Sequence, residues 1–162
     1  LKILQGSTSK LIANDAMDLN LFIINNVDAD SSFVPLEYYS RAEFMYVTKK
    51  HEQSLQVLDS LLNIFPYHPI RDDALMLKSK ILIFKEEYEK AAQSLHQILA
   101  NHYIDLLADD ALYILAGLYK DKLDNPDKAM DLYWQIVDDF PSSVYAQEAR
   151  ELYRQIRNKN LQ

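Results

Sequence analysis

The sequence predicts an all-α fold, a solenoid of antiparallel helix pairs, and three observations carry that prediction. A spacing recurs: Ser54, Leu58, Leu61, Pro66; then Ala91, Leu95, Ile98, Tyr103; then Ala129, Tyr133, Ile136, Pro141. Each copy sets a small residue, two large apolar residues and a terminator at offsets of four, seven and twelve along one helix. An alanine also follows each terminator by eight residues (Ala74, Ala111, Ala149), preceded by Asp72-Asp73, Asp109-Asp110 and Gln147-Glu148, with periods of 37 and 38 residues. Finally, the 162 residues include two Gly and five Pro, too few for a strand-rich, turn-rich chain. A fixed period of this size marks stacked supersecondary units that bury a core only by stacking.

The elements follow in order. Ser7, Thr8 and Ser9 offer N-caps for a first helix over about 9–26, whose apolar residues Leu11, Ile12, Ala16, Leu19, Phe22 and Ile23 keep helical spacing. Asn25, Asn26 and the segment 28–32 end it. Pro35 suits the first turn of a helix over 35–49, closed by Lys49, Lys50 and His51, where cations complement the dipole. A helix over 52–64 stops at Phe65-Pro66. Asp72 and Asp73 open a helix over 72–85. Lys85-Glu86-Glu87 forms a corner before a helix over 87–100, and Asn101 and His102 replace the Phe-Pro stop. Helix 105–120 leads into a turn at Asp124-Asn125-Pro126. Helix 126–139 ends at Phe140-Pro141, and Ser142 or Ser143 caps a last helix over 143–158.

Helices packed at close range need small residues where their axes cross, with large ones filling the adjoining grooves. Ala42, Ser79 and Ala116 precede the small residue of the following helix by twelve or thirteen positions, so they are expected to face it across each hairpin. Arg150, Glu151, Arg154, Gln155 and Arg157 give the last helix the polar outer side of a cap.

Composition narrows the chemistry. Without Cys there are no disulfides or thiolate metal sites. A net charge of -7 argues against nucleic acid, and no apolar run approaches the roughly 18 residues of a membrane span. The four histidines show no paired spacing on one helical face, and the acidic pairs are adjacent in sequence, so they splay around a helix. No Gly-rich phosphate loop, nucleophile elbow, or nucleophile with a base in reach is present. The reading is therefore non-enzymatic, with no cofactor and no metal. The chain begins at Leu1 with no basic-then-apolar leader, which reads as a C-terminal piece or a processed protein.

These residues resemble the tetratricopeptide repeat. The best copy is Ala111-Leu112-Tyr113-Ile114-Leu115-Ala116-Gly117-Leu118-Tyr119 with Asp127-Lys128-Ala129, Tyr133, Ile136 and Pro141. The second copy keeps Tyr88-Glu89-Lys90-Ala91 but carries Leu82 at the tyrosine position and lacks the proline. The first keeps Phe65-Pro66 but has Ser54 for alanine. Asn14-Asp15-Ala16-Met17 is similar to the start of a unit whose second helix does not follow. The resemblance implies one domain over 1–162: a degenerate N-terminal helix (9–34), pairs over 36–66, 72–103 and 105–141, and a capping helix (143–158), wound as a right-handed superhelix. The phrase Asp139-Phe140-Pro141-Ser142-Ser143-Val144-Tyr145-Ala146 is similar to bacterial cell-envelope members of the family, which implies a periplasmic or outer-membrane-associated location, with the cytoplasm left open.

The resemblance further implies a protein or peptide partner on the concave face made by the first helix of each pair. By register this gives Tyr39, Glu43 and Tyr46; Met76, Lys80 and Ile83; and Tyr113, Gly117 and Lys120. The basic clamp of some family members is absent: Lys80 and Lys120 match its positions without the accompanying Asn. The leading function is thus a non-catalytic interaction scaffold, possible in envelope assembly. The alternatives are an accessory domain of a larger enzyme, or a binder of a small molecule or cell-wall fragment, which Tyr39, Tyr46 and Tyr113 would serve. Self-association through the N-terminal helix is a further expectation.

Overall fold

The computed structural model describes residues 33–100 and 106–160. The expected helix over 9–26, the self-association surface it would supply, and the terminators Asn101, His102 and Tyr103 lie outside the described residues. Among those described, all regular structure is helical: α1 Val34–Val47, α2 His51–Ile64, α3 Ile70–Phe84, α4 Tyr88–Leu99, α5 Ala108–Asp121, α6 Pro126–Asp139 and α7 Ala146–Asn160. Each corresponds to an expected helix.

The turns inside the pairs explain the spacing. After α1, the N–H groups of Lys49 and Lys50 bond back to the carbonyls of Tyr46 (2.9 Å) and Met45 (2.8 Å). After α3, those of Glu86 and Glu87 reach Ile83 (3.0 Å) and Leu82 (2.9 Å) in the same pattern. This is the Schellman closure, which needs a left-handed residue just past the helix end. Lys49 (φ 62) and Glu86 (φ 61) fill a place that glycine usually takes. Glu87 then accepts from Lys85 (2.7 Å) and Lys90 (2.6 Å), and these bonds hold its carboxyl down at about 2.

The α5–α6 turn is one residue longer. Leu123 N–H bonds to Leu118 and Asn125 N–H to Tyr119 (2.8 Å), with Asp124 left-handed (φ 45). Asn125 then accepts from Lys128 N–H through its side chain (3.1 Å) and caps α6, with Pro126 in the first turn. The extra residue accounts for Ala116 preceding Ala129 by thirteen positions where Ala42 precedes Ser54 by twelve.

The turns between pairs also share a design. At Phe140-Pro141, Ser143 N–H bonds to the Phe140 carbonyl (2.9 Å), and Ser143 Oγ accepts from Tyr145 N–H (3.1 Å). At Phe65-Pro66, His68 N–H reaches Phe65 (3.3 Å) and His68 Nδ1 accepts from Ile70 N–H (3.1 Å). Ser143 therefore builds the turn rather than capping the helix directly, so α7 begins at Ala146 and not at 143. The matching histidine lets α3 begin at Ile70, ahead of the Asp72 expected to open it.

The chain divides into two compact units between Arg71 and Asp72. In the first, α1 and α2 pack as an antiparallel pair. Ala42 and Ser54 are fully buried, and Ser54 Oγ donates to the Ala42 carbonyl at 2.7 Å, so the expected facing pair is in contact. Tyr38 meets Phe65 edge-on at 6.1 Å.

In the second unit, α4 packs on α5, α5 on α6, and α6 on α7. Leu112, Ala116, Ala129, Tyr133, Ile136, Ala149 and Ile156 form one buried cluster. Burying a side chain such as Ile136 or Leu112 contributes roughly 1.5–3 kcal/mol. The Tyr133 phenol pKa is raised, chiefly by burial. His96 on α4 bonds to the Tyr119 hydroxyl on α5 at 2.9 Å, and Lys128 lies over the Tyr119 ring, 5.0 Å from its centre. Burial, then the Lys128 charge, lowers the His96 pKa.

Candidate functional site

The register places the expected residues on the first helix of each pair. On α1, Tyr39 and Tyr46 are half-buried and Glu43 is exposed; the Tyr46 ring lies 5.7 Å from that of His51. On α3, Lys80 is exposed and Ile83 half-buried, but Met76 is 6% exposed. Ser79 Oγ donates to the Met76 carbonyl (2.8 Å) and lies 3.9 Å from its sulfur. Met76 is thus a core residue of α3, where the register had offered it as an adaptable surface contact. On α5, Tyr113, Gly117 and Lys120 are half-buried at helical spacing on one face.

That α5 face continues onto α7. The Tyr113 ring stacks on Tyr145, which immediately precedes α7, with centroids 4.3 Å apart and planes at 16°. Its other neighbour is the buried Tyr133, edge-on at 6.1 Å. The Tyr145 hydroxyl donates to Asp110 Oδ1 at 2.6 Å. That bond, then burial and the nearby Asp110 and Asp109 charges, push the Tyr145 phenol up to about 12. Burial raises the Tyr113 pKa as well, helped by a hydrogen bond to Glu148 and by its charge.

About two turns along from Tyr113, Lys120 lies 3.5 Å from Asp121. It lines a groove of about 370 Å³ with Asp121, Leu152, Gln155, Ile156 and Lys159. The face therefore runs from an acidic, aromatic end at Asp110, Tyr113, Tyr145 and Glu148 to a mixed-charge groove at the C-terminal ends of α5 and α7.

Gly117 lies between these two ends. A Cβ built there meets nothing within 4 Å. Glycine inside a helix costs roughly 0.5–1 kcal/mol relative to alanine. Packing within the described residues does not require that cost, so the bare backbone leaves an opening in the middle of the face.

Sequence reasoning missed Tyr145 as a partner of Tyr113. The signal was present: Tyr145 precedes Ala149 by four residues, where the other copies have the aliphatic Ile70 and Leu107. A phenol in an aliphatic place needs a hydrogen-bond partner, and Asp110 supplies it.

Residues 110–143 match the family model described as Tetratricopeptide repeat. The α5–α6 hairpin is of tetratricopeptide-repeat type. The match runs from the third residue of α5, through α6, to the serine that builds the following turn. The α1–α2 hairpin has the same small-residue crossing and the same proline stop. Among curated proteins, none matches the chain. Repeats of this type generally mediate protein–protein interaction, using the extended surface that stacked helix pairs create, and their all-helical folds are typically non-catalytic. No helix among the described residues is long and apolar enough to cross a membrane.

Proposed function

We propose that the chain is a non-catalytic docking module that binds an extended segment of a protein partner along the face shared by α5 and α7. Gly117 carries this reading. It is a helix-interior glycine that the packing around it does not need, set between an aromatic pair and a groove, and such a residue lets another backbone approach closely. The half-buried tyrosines beside it provide large, rigid contact area of the kind that anchors interfaces. The groove at the far end has small-ligand volume, but its charged lining and open side favour a peptide over an enclosed small molecule. The likeness of residues 139–146 to envelope proteins makes the periplasm the compartment to test first.

The test fills the opening. Immobilised chain is expected to capture a protein partner from an extract of the source cells. Gly117→Leu should abolish that capture at unchanged helix content. Gly117→Ala should retain it and stabilise the fold by about 0.5–1 kcal/mol. Equal capture by Gly117→Leu would place the partner on another surface.

A further inference from the structure

We propose that the aromatic, acidic end of this face receives an arginine side chain of the bound partner, stacked on the Tyr113–Tyr145 pair and forked onto Asp110 or Glu148. The inference rests on the docking reading above and specifies the chemistry of what docks.

Charge complementarity carries it. Asp110 on α5 accepts from the Tyr145 hydroxyl and Glu148 on α7 interacts with the Tyr113 hydroxyl, so both engage phenols rather than cations. Among the described residues no lysine or arginine pairs with either carboxylate. The cation of α5 on this face, Lys120, lies about two to three turns farther along and is engaged by the adjacent Asp121, while Lys85 and Lys90 are taken up by Glu87. Asp109 adds a further negative charge close to Tyr145. The result is a concentration of anionic groups around two half-exposed aromatic rings, with no lysine or arginine of the described residues in an ion pair to either carboxylate.

The ring pair selects the kind of cation. A phenol that donates to a carboxylate gains electron density in its ring, which strengthens the attraction of the ring face for a cation. The hydrogen bond from Tyr145 uses one Asp110 oxygen and leaves the other able to accept. A guanidinium is planar and weakly hydrated, so one group can lie along a tyrosine ring and point its N–H fork at a carboxylate. An ammonium lacks the plane and holds its water more tightly. The opening at Gly117, one helical turn from Tyr113, gives the main chain carrying that arginine a place to pass.

The experiment titrates the isotope-labelled full chain with the peptide acetyl-Gly-Gly-Arg-Gly-Gly-amide, followed by backbone amide chemical shifts. Binding is expected, with the shifts concentrated at 109–117 and 145–152. The same peptide with citrulline, neutral but of the same shape, should bind about tenfold more weakly, as should the arginine peptide to Asp110→Asn/Glu148→Gln. A lysine peptide should fall between. Should the double variant lose its fold, Glu148→Gln alone, at an exposed carboxylate, is expected to weaken binding about threefold. Equal binding of the citrulline peptide, unchanged binding by the charge variants, or shifts confined to other residues would overturn the arginine site. If the arginine peptide does not bind while Gly117→Leu still abolishes capture of the protein partner, the docking face stands and only its arginine specificity falls.

Discussion

In the α1–α2 hairpin the helix crossing is made by Ala42 and Ser54, and in the α5–α6 hairpin by Ala116 and Ala129; all four are fully buried. The first pair admits a hydroxyl because the facing helix offers the Ala42 carbonyl at 2.7 Å. A buried serine with a partner costs little, whereas one without would cost about 1–3 kcal/mol. A repeat can therefore leave the alanine rule and keep the geometry, provided a carbonyl lies opposite. The family match falls on 110–143, where the residues lie nearest the family pattern, although the first hairpin is built on the same plan.

The two hairpins differ again at the position equivalent to Ala111. Ala111 is fully buried, while its counterpart on α1, Glu37, is exposed. The α1 helix thus presents a charged group at the place where α5 buries an alanine. The same register that preserves each hairpin internally can change what the hairpin shows to a neighbour.

The largest expected effect comes from the shared core positions. Leu61 and Ile136 both lie seven residues after the small crossing residue and are at most 1% exposed. Truncation of either to alanine should cost about 2–5 kcal/mol in denaturant unfolding. A cost under about 1 kcal/mol for Leu61→Ala alone would show that the first hairpin does not pack as the third does. A smaller effect of opposite sign is expected at the turns. Lys49→Gly and Glu86→Gly relieve left-handed backbone at exposed positions and should each stabilise by up to about 1 kcal/mol. Asp124→Gly should gain less, because aspartate tolerates that conformation better. Equal gains at all three would mean that the longer α5–α6 turn carries the same strain as the three-residue turns.

Most helix ends were legible because proline, polar corners such as Lys85-Glu86-Glu87 and small-residue spacing are local signals. The start of α7 was not: Ser143 looks like an N-cap in sequence, yet it spends its hydroxyl on the Tyr145 N–H inside the turn. The facing of Ser54 and Ala42 was legible from their separation, but the hydrogen bond that lets serine sit there depends on how the two backbones approach. Of the candidate site, Tyr113, Gly117 and Lys120 were readable by register, since one helix face fixes all three. Met76 has the same register and is buried, because register gives a direction around the helix and not what covers it. Tyr145 and Glu148 join Tyr113 only through the packing of α7 beside α5, a non-local arrangement that spacing within one helix does not encode.

The most direct test of the central claim, that these hairpins close on their small residues, is a nuclear Overhauser experiment on the full chain with labelled alanine and serine. The structure predicts cross-peaks between Ala42 and Ser54 and between Ala116 and Ala129, in a spectrum dominated by helical shifts. Helical shifts without either pair of cross-peaks would contradict it.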